Sequence, residues 1–342
     1  MYHTAGYHTY SESSGEGTAF LALAVEPDRG LAWPYLLRRI SDVEGFEGCE
    51  STDVTSVYGY AGPLAWGCSP GDDFLERAWT AILGVWHEQG AVASFTRFHP
   101  LLENAALATG MRGPCDRPSD PAAVGAMGRT VSIDLTASEE TIRAGYSESL
   151  RRQIRNYRRA GQTTIDDVGW SDLPAFVRLY HETMTRNDAD PYYYFDLEDF
   201  ARLREGLGQH VHLLVTRIGD EVGAAGIFTE YDGLVQEHLM AANPAFASVS
   251  PYKVQLDDAA MWAKARGNRV LHLGGGRGAR EDSLFEFKRR FSTRRHEFYT
   301  GRWVLDRTRY DSLVLDRRAA VGDRGSLSPD YFPAYRAQVV AA

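Results

Sequence analysis

The sequence predicts an α/β protein of two domains, each a mixed central sheet flanked by helices. Three observations carry this. At 342 residues the chain is long for one hydrophobic core. Apolar and β-branched stretches at period two alternate with amphipathic stretches at period 3.6. Gly219-Asp220 and Asp232-Gly233 join three consecutive strand patterns, and Asp and Gly supply the positive φ that two-residue hairpins need.

Composition narrows the function. The chain is 44% hydrophobic and 24% charged, the balance of a globular protein. A formal net charge of −9 argues against general nucleic-acid affinity and leaves room for a local basic surface. With no run of eighteen apolar residues, and no basic-then-apolar N-terminus, a cytoplasmic location is expected. Cys49, Cys68 and Cys115 are widely spaced without CxxC or paired histidines, so neither a disulfide framework nor a zinc site is expected.

In chain order, residues 1–18 are polar and read as a flexible leader. Residues 20–25 form a strand candidate, and Trp33-Pro34 opens a helix to about Ile40, with proline in the first turn. A strand is expected over 54–63. A helix capped by Asp72 or Asp73 carries Phe74, Ala78, Ile82, Val85 and Trp86 on one stripe. A strand over 93–100, a long loop over 110–128 and a strand over 128–135 follow. Ser138 begins a helical region reaching Gly161, with Leu150, Ile154 and Tyr157 buried and Arg151, Arg155, Arg158 and Arg159 projecting together. Helices over 172–186 and 198–207 precede three strands over 210–217, 221–230 and 234–242. A helix over 252–266, a strand over 269–273, a helix over 282–291 and a strand over 296–305 complete the core. The domains expected are 19–137 and 138–320, with a tail over 321–342.

The stretch Leu273-Gly-Gly-Gly276 and Asp282 to Phe291 organises the second half. As a helix it places Leu284, Phe287, Lys288 and Phe291 on one face. A lysine among phenylalanines either snorkels to water or faces an anion or a developing negative charge. The preceding strand and Gly274-Gly275 make a turn that a ligand can approach closely.

The order helix, helix, three antiparallel strands, helix, strand, helix, strand matches the Gcn5-related N-acetyltransferase (GNAT) fold, and the first half is a looser copy. Tyr58-Gly-Tyr-Ala-Gly-Pro63, Arg97-Phe-His-Pro100, Ser149-Leu-Arg-Arg-Gln-Ile-Arg-Asn156, Leu273-Gly-Gly-Gly276 and Phe285-x-Phe-Lys-x-x-Phe291 together resemble the Fem family of non-ribosomal, aminoacyl-tRNA-dependent peptidyl transferases. The resemblance spans roughly residues 20–305. It implies tandem GNAT-like domains that move an amino acid from its tRNA ester to an amine, classically on a cell-wall precursor, with no metal and no cofactor besides the co-substrate.

The family's Phe-Lys pair falls on Phe287 and Lys288, with the lysine stabilising charge at the reacting carbonyl. Arg97, Tyr58, Tyr60, Tyr194, Lys253, Gly274 and Gly275 are candidates for substrate contact, and Arg151, Arg155, Arg158, Arg159 and Arg289 for tRNA or phosphate. Where bridge-forming members carry Arg-x-Asp-Pro, this chain has His99, a proton acceptor near neutral pH or a packed strand histidine. The departure points to an acceptor other than the lipid-linked precursor, so both cell-wall and natural-product pathways stay open.

Two rivals remain. An acyl-CoA-dependent N-acyltransferase shares the fold, but the connection Asn243 to Lys253 lacks the glycine turn that holds a pyrophosphate. A non-catalytic binding module of the same fold is the other. The expected partners are aminoacyl-tRNA and a small-molecule amine, and the expected state is a monomer.

Overall fold

The computed structural model describes residues 1–116, 122–322 and 325–340. In chain order the elements are α1 (Ala5–Ser13), β1 (Thr18–Glu26), β2 (Arg29–Arg39), β3 (Thr52–Thr55), β4 (Leu64–Trp66), α2 (Asp73–Glu88), β5 (Ala91–Arg97) and β6 (Val124–Asp134). Then come α3 (Glu139–Ala144), α4 (Glu148–Arg159), β7 (Thr163–Asp166), α5 (Leu173–Arg186), α6 (Leu197–Leu207), β8 (Val211–Ile218), β9 (Glu221–Tyr231) and β10 (Leu234–Ala242). The chain closes with α7 (Tyr252–Ala265), β11 (Val270–Gly274), α8 (Ser283–Lys288), β12 (Arg294–Val304), α9 (Arg307–Val321), β13 (Ser326–Leu327) and β14 (Val339–Val340). Among the described residues no helix is long and apolar enough to cross a membrane.

Two compact units result. One comprises Met1 and Gly128–Glu297, the other Tyr2–Met127 with Phe298–Ala342. The division falls inside strands β6 and β12, about ten residues before the expected 137/138 boundary, and the C-terminal segment belongs with the first half. Sequence patterning marks where elements begin and end, and it carries no sign that a strand divides between two cores.

In the N-terminal unit β2 pairs with β1, β3 and β4, β3 runs parallel to β5, and β5 pairs with β12. Helix α2 packs Phe74, Ala78, Ile82 and Trp86 against a core that includes Trp33 and Trp303. Asp72 caps it, its carboxylate accepting from the Phe74 amide at 2.9 Å. The expected helix at Trp33-Pro34 is strand β2 instead. Leu31, Trp33 and Tyr35 alternate onto the buried face. Glu26 and Arg29 close a two-residue hairpin, so Pro34, opposite Leu21, is a non-hydrogen-bonded position whose absent N–H breaks no bond to β1. On its other side Pro34 falls between the residues paired with β4 and those paired with β3.

The ends are structured where a leader and a tail are expected. Tyr7 and Tyr10 lie on one buried face of α1, and the Thr4 side chain accepts from the Tyr7 amide. Tyr335 is buried and donates its hydroxyl to Asp53 at 3.1 Å. Aromatic residues among polar ones carry both segments inward, and average polarity hides them. The strand expected over 54–63 stops at Thr55, after which the chain makes a single bridge from Ala61 to Phe98. Of the loop expected over 110–128, residues 117–121 lie outside the described residues, and β6 begins at Val124. Residues 323–324 and 341–342 of the expected tail likewise lie outside them.

Asp53 is fully buried, with Arg38 at 2.7 Å and Arg336 at 2.5 Å. Replacing it with alanine strands two guanidinium groups in a poorly solvated place. We expect a stability loss of about 3–5 kcal/mol, read from urea unfolding. A loss below about 1 kcal/mol, the range of surface pairs, would contradict this.

In the C-terminal unit the sheet order is β6, β11, β10, β9, β8, β7. Only the β10–β11 pair is parallel. The hairpin turns carry the expected positive φ at Gly219, Asp232 and Gly233. Helix α7 lays Leu256, Ala259, Ala260 and Ala263 on this sheet, while α4 adds Leu150 and Ile154. The helical region expected over 138–161 is two helices, broken at Gly145 to Ser147, where the Ser147 amide bonds the Arg290 carbonyl at 2.8 Å. Helix α9 was not anticipated; it buries Leu313 and Val321 in the N-terminal unit.

Candidate active site where two parallel strands part

Strands β10 and β11 pair over only Leu234–Gln236 and Val270–His272. Each is then bulged, β10 between Glu237 and Leu239 and β11 between His272 and Gly274. At the last rung the Gln236 side-chain oxygen lies 2.5 Å from His272 Nδ1. Beyond it the two strands no longer satisfy each other's backbone, and side chains fill the opening.

Helix α8 delivers Lys288 there. Asp282 starts the helix by accepting from the amides of Leu284 and Phe285 at 3.0 and 3.1 Å. Its placement needs Gly276, since a Cβ there would sit 2.3 Å from Asp282 Oδ1. The Lys288 side chain is 8% exposed; Nζ donates to the Leu273 carbonyl and lies 3.3 Å from Glu237 Oε1. Tyr252 donates its hydroxyl to the same oxygen at 2.6 Å, and its ring stacks on Phe287 with centroids 4.8 Å apart. Burial first, then the Glu237 charge, pushes the Tyr252 phenol far above its ordinary range, so it stays a donor. Glu237 Oε2 is buried and finds no hydrogen-bond partner among the described residues.

This arrangement has a definite chemical capacity. An ammonium carries three N–H donors, and two of those of Lys288 are engaged. The third is available to a developing oxyanion, with the Glu237 carboxylate beside it. Next along β10, burial holds His238 at about 4, so it is neutral near physiological pH.

Sequence reading missed Glu237 and Tyr252. Glu237 shares the face of Val235 on β10, a carboxylate at the apolar phase of a buried strand, which was the available signal. Tyr252 was read only as the start of a helix.

The other expected residues fall into separate groups. Phe287 belongs to this neighbourhood through Tyr252, while Lys253 faces Tyr157 and Arg290. The Lys253 ammonium is lowered by burial and by Arg290, and lies 5.8 Å from the Tyr157 ring. Gly274 has φ of +71°, which glycine alone tolerates without strain. At Gly275 a Cβ would lie 2.9 Å from the Arg129 carbonyl, so glycine lets these two backbones approach closely. Tyr194 packs on His181 at 5.7 Å and its hydroxyl meets Thr185 at 3.3 Å, a loop contact. Arg289 pairs with Glu286 on the surface, and Arg159 is exposed.

Tyr58, Tyr60, Arg97 and His99 belong to the N-terminal unit. His99 is buried; its amide donates to Asn104 at 2.7 Å and its Nδ1 accepts from the Leu101 amide at 3.2 Å. That fixes the ring as part of a loop. Tyr60 lies edge-on to His99 at 6.1 Å, and Arg97 lies 4.9 Å over Phe95. Tyr2 fills the space over Gly59, where a Cβ would lie 2.3 Å from its ring.

The connection from β10 to α7 uses its amides internally. Those of Phe246, Ala247, Val249, Ser250 and Lys253 all bond to carbonyls of residues 243–250 at 3.0 to 3.1 Å. The amide of Ala245 bonds to the Asn243 side chain at 3.0 Å. A pyrophosphate would have to displace these bonds.

Comparison with known proteins agrees with this architecture. The family described as "Acetyltransferase (GNAT) domain" matches residues 144–289. No curated protein matches the sequence. The crystal structure of FemX superposes with a TM-score of 0.64 at 10% identity, covering 90% of this chain and 93% of its own. The C-terminal domain of a putative lysylphosphatidylglycerol synthetase from Agrobacterium fabrum gives 0.53 at 15% identity and 89% coverage of each chain. L-PGS from Bacillus licheniformis gives 0.51 at 13% identity, covering 91% of this chain and 95% of its own. Residues 144–289 thus carry a GNAT-type domain, and the chain shares its overall fold with FemX.

Proposed function

We propose that this protein is an acyltransferase that moves an amino acid from aminoacyl-tRNA to the amine of a small-molecule or cell-wall-precursor acceptor. The observation that carries the reading is the buried Lys288 with one donor to spare, locked by Glu237 and Tyr252 where β10 and β11 part. The acceptor amine attacks the ester carbonyl, forming the C–N bond, and the carbonyl oxygen takes the negative charge toward Lys288. The unpartnered Glu237 Oε2 accepts the proton lost by the attacking nitrogen. Collapse of the intermediate breaks the ester C–O bond, and the ribose oxygen leaves as a hydroxyl, taking the proton that Glu237 accepted.

Two relatives bear the name lysylphosphatidylglycerol synthetase or L-PGS, which favours an aminoacyl over an acetyl group. The self-satisfied amides between β10 and α7 speak against CoA as donor. The test is radiolabel release from pooled charged tRNAs against a panel of acyl-CoAs, each with and without a crude metabolite extract as acceptor. We expect extract-dependent release from tRNA alone. Turnover confined to a CoA thioester would overturn the reading.

A further inference from the structure

A cavity of about 430 Å³ opens on the C-terminal unit between α3, α4 and α7, lined by Arg143, Tyr146, Arg151, Arg155, Arg158 and Asp257. It is distinct from the strand opening that holds Lys288. Asp257 forms its floor and is fully buried. Its two oxygens anchor Arg143 at 3.0 Å and Arg158 at 2.6 Å, and Arg158 also pairs with Asp258. Glu139 faces Arg143 from the outside at 3.1 Å. Those carboxylates are consumed by those two guanidinium groups. Arg151 and Arg155 have no ion pair among the described residues, so the cavity presents two uncommitted forks beside two rigid ones.

A second observation points the same way. Tyr146 is 3% exposed, and its hydroxyl finds no hydrogen-bond partner among the described residues. Asp257 lies near enough to act on it, through its charge and as a hydrogen-bond acceptor. Burial, then the Asp257 charge, pushes its ionisation up, so it remains a proton donor. A buried, unsatisfied hydroxyl is destabilising unless a ligand or water completes it.

We propose that this cavity binds the phosphate of a nucleotide, with Arg151 and Arg155 clasping the oxygens and Tyr146 donating from behind. Guanidinium forks match phosphate bidentately, and the volume lies at the low end of the roughly 300–1,000 Å³ typical of small-ligand sites. It admits one nucleotide, not a duplex. The phosphate comes either from a free nucleotide or from the end of a single-stranded RNA, and the chemistry is shared. Nothing here depends on which donor the enzyme uses, because binding is measured without turnover.

The experiment titrates the intact protein with AMP, with adenosine, and with a short 5′-phosphorylated single-stranded RNA, by calorimetry at low and moderate salt. AMP is expected to bind saturably and adenosine not to, with affinity falling as salt rises. Arg151→Ala/Arg155→Ala is expected to weaken AMP binding at least about tenfold with unchanged melting, since neither side chain makes an ion pair. Tyr146→Phe keeps the ring packed on Phe291 at 5.3 Å and is expected to weaken binding severalfold. RNA binding more tightly than AMP assigns the phosphate to a polymer; equal affinities assign it to a free nucleotide. Equal binding of AMP and adenosine, no saturable binding of AMP or RNA at millimolar concentration, or unaltered affinity in the double variant would each overturn the proposal.

Discussion

Lys288→Met lowers turnover about 10²–10³-fold, the effect expected when a preorganised donor to an oxyanion is removed. The same change leaves Glu237 buried without its cation. Breaking a buried pair from one side costs about 3–5 kcal/mol, so a loss of activity in this variant alone is ambiguous. The double variant Lys288→Met/Glu237→Gln resolves it. With no charge left to strand, and a side chain that still accepts from Tyr252, most of the stability returns. Activity does not return, because neither donor nor base is restored. Urea unfolding and initial rates on the two variants separate the contributions. Wild-type turnover in either variant would remove Lys288 from the chemistry and favour a non-catalytic module of this fold.

The second large effect is acid lability between about pH 6.5 and pH 4. His3 and His238 are each held at about 4, chiefly by burial; for His3 this prevails over the bond between its ring nitrogen and the Gly62 carbonyl. Above pH 6.5 both residues are neutral, folded or unfolded, and contribute no pH dependence. As pH falls, the unfolded chain takes up protons that the folded chain refuses, so stability declines until the folded histidines protonate near pH 4. Each shift corresponds to about 3 kcal/mol. Carboxylates such as Asp134, held low first by the Thr136 hydroxyl, add to the loss only at lower pH. Urea unfolding at successive pH values shows the slope, and His238→Asn is expected to remove about half of it. A flat profile across that window would show that these histidines are solvated.

Much of the C-terminal unit was legible in the sequence. The strands from 210 to 242, the helix after Pro251, the strand ending in glycines and the helix bearing Lys288 all follow from periodicity and turn chemistry. The Fem likeness followed from the same motifs. The N-terminal unit was less legible. Pro34 read as a helix start because a proline with a free position opposite it in a strand has the same local sequence. Tyr2, Tyr7 and Tyr335 lay in segments whose average polarity concealed a few buried rings.

The site divides the same way. Lys288 stood out as a cation on an apolar face. Its partner did not, because Glu237 reaches it through a bulge that only the paired strands reveal. The arginines of α4 were visible as a row. That one of them, Arg158, is bound by Asp257 while Arg151 and Arg155 remain uncommitted depends on which residues α7 turns toward them.

The most direct test of the central claim is the affinity of a tetrahedral phosphonate analogue of an aminoacyl ester, compared with the matching planar ester analogue, in wild type and in Lys288→Met/Glu237→Gln. An oxyanion stabiliser grips the tetrahedral form. The wild type is predicted to prefer the phosphonate by at least about a hundredfold, and the double variant to lose most of that preference while keeping its affinity for the planar ester. An undiminished preference in the double variant would contradict the assignment of Lys288 to the reacting carbonyl.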